Sequence, residues 1–142
     1  MLFPSLPWLE AAVAAVNREP ALPEALRGLG PDLAAVIEAD PPALRAPFVA
    51  YGRQEAGRIT GIRVLCDPDE IWELEPAYVL RAPYRVWKGL LSGEDPVKAA
   101  LSGRVKVEGD LEALIRRATY RHLIEAALSS VKTEFSDAGG RA

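Results

Sequence analysis

The sequence holds one cysteine, Cys66, and one histidine, His122, and asparagine and glutamine occur once each, as Asn17 and Gln54. A lone cysteine excludes an internal disulfide framework and every multi-cysteine zinc or iron–sulfur site. A lone histidine excludes centres that need two or three imidazoles. No stretch approaches 18 uninterrupted apolar residues, so no membrane-spanning helix is expected. There is no basic excess either: 17 Lys and Arg face 20 Asp and Glu, for a net charge of −3. That balance argues against non-specific attraction to nucleic acid or to anionic membrane. No P-loop, dinucleotide fingerprint or nucleophile elbow is present, so no cofactor and no catalytic residue is expected. The N-terminus, MLFPSLPWLEAAV, lacks a basic region, and Glu10 interrupts its apolar run, so it makes a poor secretory signal. The expected setting is cytoplasmic and reducing.

What is there suits a globular fold. Hydrophobic residues make up 49% of 142 residues and charged residues 26%, enough to bury a core without metals or disulfides. One domain is expected over residues 1–135, with 1–30 as a helical N-terminal extension and 136–142 as a disordered tail. Ser5 and Pro7 open a helical pattern carried by Trp8, Leu9, Ala12, Val13 and Val16. Leu22, Ala25, Leu26 and Leu29 suggest a second, short helix. Residues 33–39 and 47–54 read as strands, and 47–54 with 58–66 as an antiparallel hairpin turned at Gly57. Residues 70–75 (EIWELE) alternate and read as a strand, and 77–81 continue or re-enter the sheet.

Pro83 starts a helix through Leu91, and Asp95 caps another over Pro96 to Leu101. Residues 104–108 (RVKVE) alternate as a strand. From Asp110 a long helix is expected, with Leu111, Leu114, Ile115, Ala118, His122, Leu123 and Val131 at helical spacing. Helices, several strands, helices, one strand and a closing helix make an α+β layout, with helices gathered against a sheet.

Few residues suggest chemistry. Asp67, Asp69 and Glu70 lack the oxygen count and spacing of a calcium loop and read as a turn, so no metal is expected. Arg116, Arg117 and Arg121 form a basic strip beside Glu112 and Glu125 and read as a solvated face. His122 lies beside the apolar stripe. Nothing in the sequence links it to Cys66.

Residues 87–111 run WKGLLSGEDPVKAALSGRVKVEGDL. A helix ends near Gly93, Asp95-Pro96 starts an apolar helix with Ala99-Ala100, and Gly103-Arg104-Val105-Lys106-Val107-Glu108-Gly109-Asp110 leads into a long helix. This series resembles the C-terminal half of the sterol carrier protein (non-specific lipid-transfer) domain family, over roughly residues 83–131. The usual C-terminal peroxisomal targeting signal is absent, which fits a bacterial, stand-alone form. The resemblance implies a mainly antiparallel five-stranded sheet covered by helices, with an apolar tunnel between them. It implies non-catalytic binding or transfer of a lipid-like ligand of fatty acyl, sterol or hopanoid, or isoprenoid type.

The tunnel residues that follow from it are Phe48, Ile62, Trp72, Leu74, Trp87, Leu90, Leu91, Leu101, Leu114, Leu123 and Leu128. Arg81, Arg85 and Lys88 are candidates to meet a headgroup, against a reading as snorkelling surface chains. Burying about 15 methylenes would release roughly 12 kcal/mol against an association cost of about 4–15 kcal/mol, which permits modest affinity. The other reading is an accessory or protein-interaction module that assists lipid- or quinone-modifying enzymes, with a filled pocket and a protein partner or a second copy. No nucleic-acid partner and no stable membrane insertion are expected under either reading.

Overall fold

The computed structural model describes residues 1–116 and 121–135. The chain runs β1 (Leu2–Phe3), α1 (Leu6–Asn17), α2 (Leu22–Arg27), β2 (Asp32–Glu38), β3 (Phe48–Glu55), β4 (Arg58–Leu65), α3 (Glu70–Leu74), β5 (Tyr78–Pro83) and α4 (Tyr84–Leu91). It continues through α5 (Pro96–Leu101), β6 (Lys106–Glu108), α6 (Leu111–Arg116), α7 (Arg121–Leu128) and β7 (Glu134–Phe135).

The caps sit where the sequence puts them. Ser5 Oγ accepts from Trp8 N at 3.2 Å, Asp95 Oδ1 from Val97 N at 2.9 Å, and Asp110 Oδ1 from Ala113 N at 3.1 Å. Each satisfies a backbone N–H that its helix cannot.

The main sheet has the strand order β4-β3-β2-β5-β6. The β3–β4 hairpin turns at Ala56 and Gly57, both with positive φ (53° and 84°), the backbone that matches the twist of tight hairpins. Gly57 is also required by packing, because a Cβ there would fall 2.1 Å from Pro23 O of α2. β1 and β7 pair in parallel as a separate small sheet that brings the described ends of the chain together.

Cross-strand register sorts the sheet residues onto two faces. On one, Ala34, Val36, Val49, Tyr51 and Val79 pack with Leu65 and with Ile71 of α3. On the other lie Leu33, Ala35 and Ile37 of β2, with Phe48, Ala50 and Gly52 of β3 and Leu80 and Ala82 of β5 in register beside them. The helices α1, α2, α4 and α5 serve this second face.

Two expectations need correction and one a qualification. The sheet is mainly antiparallel, as expected, but one pair, β2 and β5, is parallel, from Leu33↔Tyr78 to Glu38↔Pro83. The hairpin signal is local and says nothing about what occupies the other edge of β2.

Residues 70–75 are not a strand. Asp67 Oδ1 accepts from Asp69 N, and Glu70 N and Ile71 N bond back to Asp67 O and Pro68 O, so the turn winds on into α3. Alternation over so few residues fits both periods. The helix puts Ile71 and Leu74 inward and turns Trp72 outward, where it is 74% exposed.

The strand expected over 104–108 is confined to Lys106–Glu108. The closing helix is described as α6 and α7, whose expected join at 117–120 lies outside the described residues, as do Arg117 and the tail 136–142.

Candidate functional site

The second face of the sheet is hollow at one end. Under α1 and α2 lies a half-open cavity of about 230 Å³. Its floor is Leu33 and Ala35 of β2, Ala50 and Gly52 of β3, and Ile59 and Ile62 of β4. Its roof is Leu9 and Val13 of α1 with Leu26 and Leu29 of α2 and the turn after it. Small side chains on two neighbouring strands leave the space, and three apolar helical positions with Leu29 of the following turn span it.

The cavity's lining ends at Asp32 on β2, in register with Arg53 on β3; by strand alternation their side chains lie with Tyr51 on the opposite face of the sheet. Tyr51 Oη donates to Asp32 Oδ2 at 2.6 Å, and Ala77 N donates to Asp32 Oδ1 at 2.7 Å. Burial, and then the bond to Asp32 with its negative charge, raise the Tyr51 phenol above its ordinary 10.0. Arg53 is exposed.

The two amide side chains of the sequence hold the roof down. Asn17, the last residue of α1, donates from Nδ2 to Ile59 O and accepts at Oδ1 from Ile59 N, both at 2.9 Å, as a neighbouring strand would. Gln54 donates from Nε2 to Gly30 O at 2.6 Å and accepts at Oε1 from Gly57 N at 2.8 Å. Arg58 Nη1 adds a bond to Asn17 O at 3.0 Å.

Of the eleven residues named from the sequence, Ile62 lines this cavity. Phe48, Trp87 and Leu91 pack in an aromatic cluster around Phe3, Ile37 and Tyr84. Leu90, with Trp87, packs around Ala82, Ala99 and Val105. Leu74 packs against the opposite sheet face. Trp72 stands exposed beside a second, more polar cleft of about 300 Å³ with Arg81, Glu75 and Glu108 on its walls. Leu101 is 66% exposed, while Leu114, Leu123 and Leu128 are half-buried on α6 and α7. The structure does not gather the eleven at one place. The roof residues Leu9, Val13, Leu26 and Leu29 carry a helical-spacing signal in the sequence but fall outside the stretch that resembles a known family.

The charged candidates are engaged elsewhere. Arg85 pairs with Asp40 at 3.4 Å, and Lys88 Nζ lies 5.2 Å from the centre of the Phe135 ring. Arg116 pairs with Glu112 at 3.1 Å, and Arg121 Nη1 approaches Asp95 to 3.4 Å. His122 Nδ1 lies 3.8 Å from Glu125 on the same exposed turn, and Cys66 is exposed after β4. Asp67 and Glu70 serve the turn, with Glu70 Oε2 accepting from Cys66 N at 3.0 Å. Among the described residues no group of three or more His, Cys, Asp or Glu is placed to hold a metal ion, and no helix is long and apolar enough to cross a membrane.

Comparison with known proteins bears on this geometry. Residues 59–118 match the SCP-2 sterol transfer family. No curated protein sequence matches the chain. A conserved hypothetical protein from Thermus thermophilus, described as a candidate sterol carrier protein, superposes with a TM-score of 0.74 at 20% identity, covering 92% of this chain and 90% of that one. The crystal structure of sterol carrier protein 2 does so at 0.69 and 17% identity, over 90% of this chain and 98% of the other. A UbiJ-SCP2 ubiquinone synthesis protein reaches 0.53 at 19% identity, over 82% and 90%. The chain therefore has the sterol carrier protein fold, and the SCP-2 sterol transfer family is the one its residues 59–118 resemble in sequence.

Proposed function

We propose that this protein binds a lipid-like hydrophobic molecule in the cavity beneath α1 and α2 and passes it on without changing it chemically. One observation carries the reading: a void of about 230 Å³ with apolar walls, kept under two helices that are fastened to the sheet by specific hydrogen bonds. Apolar walls left uncovered in a half-open cavity forgo the burial that stabilises a fold, and close packing is the rule in protein interiors. A protein that keeps such a space gains by filling it with a ligand. Ile62 is one contact we assign to that ligand, beside Leu9, Val13 and Leu26. The protein acts in an aqueous, reducing compartment, in keeping with a single exposed cysteine.

Native mass spectrometry of freshly purified protein, followed by lipid extraction, tests the proposal. The expected result is a reproducible extra mass that denaturation releases, and that the substitution Ala50→Leu abolishes while the protein stays folded. A clean apo mass with no uptake of any acyl chain, sterol or isoprenoid on titration would sink it.

One observation favours a second reading, an accessory module for enzymes acting on lipid or quinone substrates. Trp72 is a large apolar side chain 74% exposed to solvent, and exposed aromatics often anchor protein interfaces. The likeness to the UbiJ-SCP2 ubiquinone synthesis protein supports the same reading. Under it, Trp72→Ala would abolish co-purification of a partner enzyme and leave lipid uptake unchanged.

A further inference from the structure

The dimensions of the cavity say which hydrophobic molecules it can take. Its floor runs from Asp32 to Ala35 on β2 and from Ala50 to Arg53 on β3. Three residue steps span about 10 Å along a strand, and two strand spacings, from β2 to β4, span about 10 Å across. Both ends are defined. At one, the lining ends at Asp32 and Arg53, in register with each other. At the other, the next residues on the same face are Ile37 and Phe48, in register with each other. They belong to a packed aromatic cluster in which the Phe3 and Trp8 rings meet edge-on at 4.8 Å. Side chains therefore fill the direction in which a longer tunnel would have to run.

An extended chain advances about 1.2 Å per bond, from a residue span of about 3.3–3.6 Å over three bonds. A straight chain along the strands is then limited to about eight bonds, and one lying on the diagonal of the floor to about twelve. The volume agrees: about 230 Å³ exceeds the roughly 150 Å³ that holds one benzene and falls below the roughly 300–1,000 Å³ of sites for drug-sized ligands.

Resting on the carrier reading, we infer that the ligand buries a compact apolar group of about ten carbons. A medium-chain acyl group or a short isoprenoid fits. A sterol skeleton or a fully buried long acyl chain does not. Phe48 and its aromatic neighbours set the length limit.

Titration calorimetry with n-alkanoates of six to sixteen carbons, each below its micellar concentration, tests this on the intact chain. Each added methylene is expected to tighten binding about fourfold up to ten carbons, with no gain beyond twelve. Phe48→Ala is expected to move that plateau to longer chains, tightening hexadecanoate at least tenfold. Should Phe48→Ala fail to fold, Ala35→Leu gives the opposite test, with decanoate weakened at least tenfold and the plateau shortened. A steady gain through sixteen carbons in the unaltered protein would overturn the length limit and leave the carrier reading standing. Binding of no alkanoate of any length, together with no binding of geraniol or of a sterol in the same titration, would overturn both.

Discussion

One sheet face is hollow at one end and solid at the other. At the hollow end Ala35, Ala50 and Gly52 lie beneath α1 and α2. Two residues further along the same strands, Ile37 and Phe48 pack with Phe3, Trp8, Tyr84 and Trp87. Both ends are apolar, so hydrophobicity does not distinguish them. The difference lies in side-chain size on the floor and in how the roof is attached. The solid end is held by interdigitated rings and by Trp87 Nε1, which lies 3.1 Å from Val36 O and 3.0 Å from Ala82 O. The hollow end is held by hydrogen bonds around its rim, so its helices can stay in place without filling the space beneath them.

Substitutions at the two ends should separate stability from binding. The largest effect belongs to the solid end. Tyr84 is 1% exposed, and Tyr84→Ala is expected to cost about 3–5 kcal/mol, measured by denaturant unfolding. A loss under about 1 kcal/mol would mean that this cluster does not hold the fold.

Next comes Gly57→Ala at the rim. Positive φ and a Cβ driven into Pro23 together predict a loss of about 1–3 kcal/mol, and hydrogen exchange should rise in α2 more than in α4. Asn17→Ala removes both bonds to Ile59. We expect about 1–2 kcal/mol and faster exchange at the end of α1, with the aromatic end unchanged. Equal loosening at both ends would break the comparison.

The smallest effect is pH-dependent. The Tyr51 phenol titrates above 10.0 in the folded protein, so the unfolded chain loses that proton first. The associated stability is complete below pH 10 and falls as pH rises through 10 toward the folded value. Tyr51→Phe should remove this alkaline decline and cost about 1 kcal/mol at neutral pH through the lost bond to Asp32. An unchanged difference between the two proteins from pH 8 to 11 would contradict it.

The contrast between the ends also explains what could be read from the sequence. Caps and turns were legible because each depends on a few adjacent residues: Ser5, Asp95 and Asp110 cap as expected, and the hairpin turns at Gly57. The α+β class followed from the order of elements. The parallel β2–β5 pairing was not legible, because two strands some 40 residues apart carry no local mark of direction. Nor was α3, where Ile71 and Leu74 fit either period until Asp67 and Pro68 are seen to wind the turn onward.

The site was the least legible part. A floor of Ala35, Ala50 and Gly52 looks unremarkable in a string of apolar residues, and a void is a property of several strands and helices at once. Large apolar residues attract attention, yet here they mark where the space is filled. The usable signal was the pairing of single amides, Asn17 and Gln54, with short apolar helices in a chain that otherwise has none.

The most direct test of the account is an isotope-filtered NOE experiment on the protein loaded with decanoate. Contacts from the alkyl chain to the methyl groups of Leu9, Val13, Leu26 and Ile62 are the expected result. Contacts to Ile71 or Trp72 at the second cleft, or none to those four methyl-bearing residues, would contradict it.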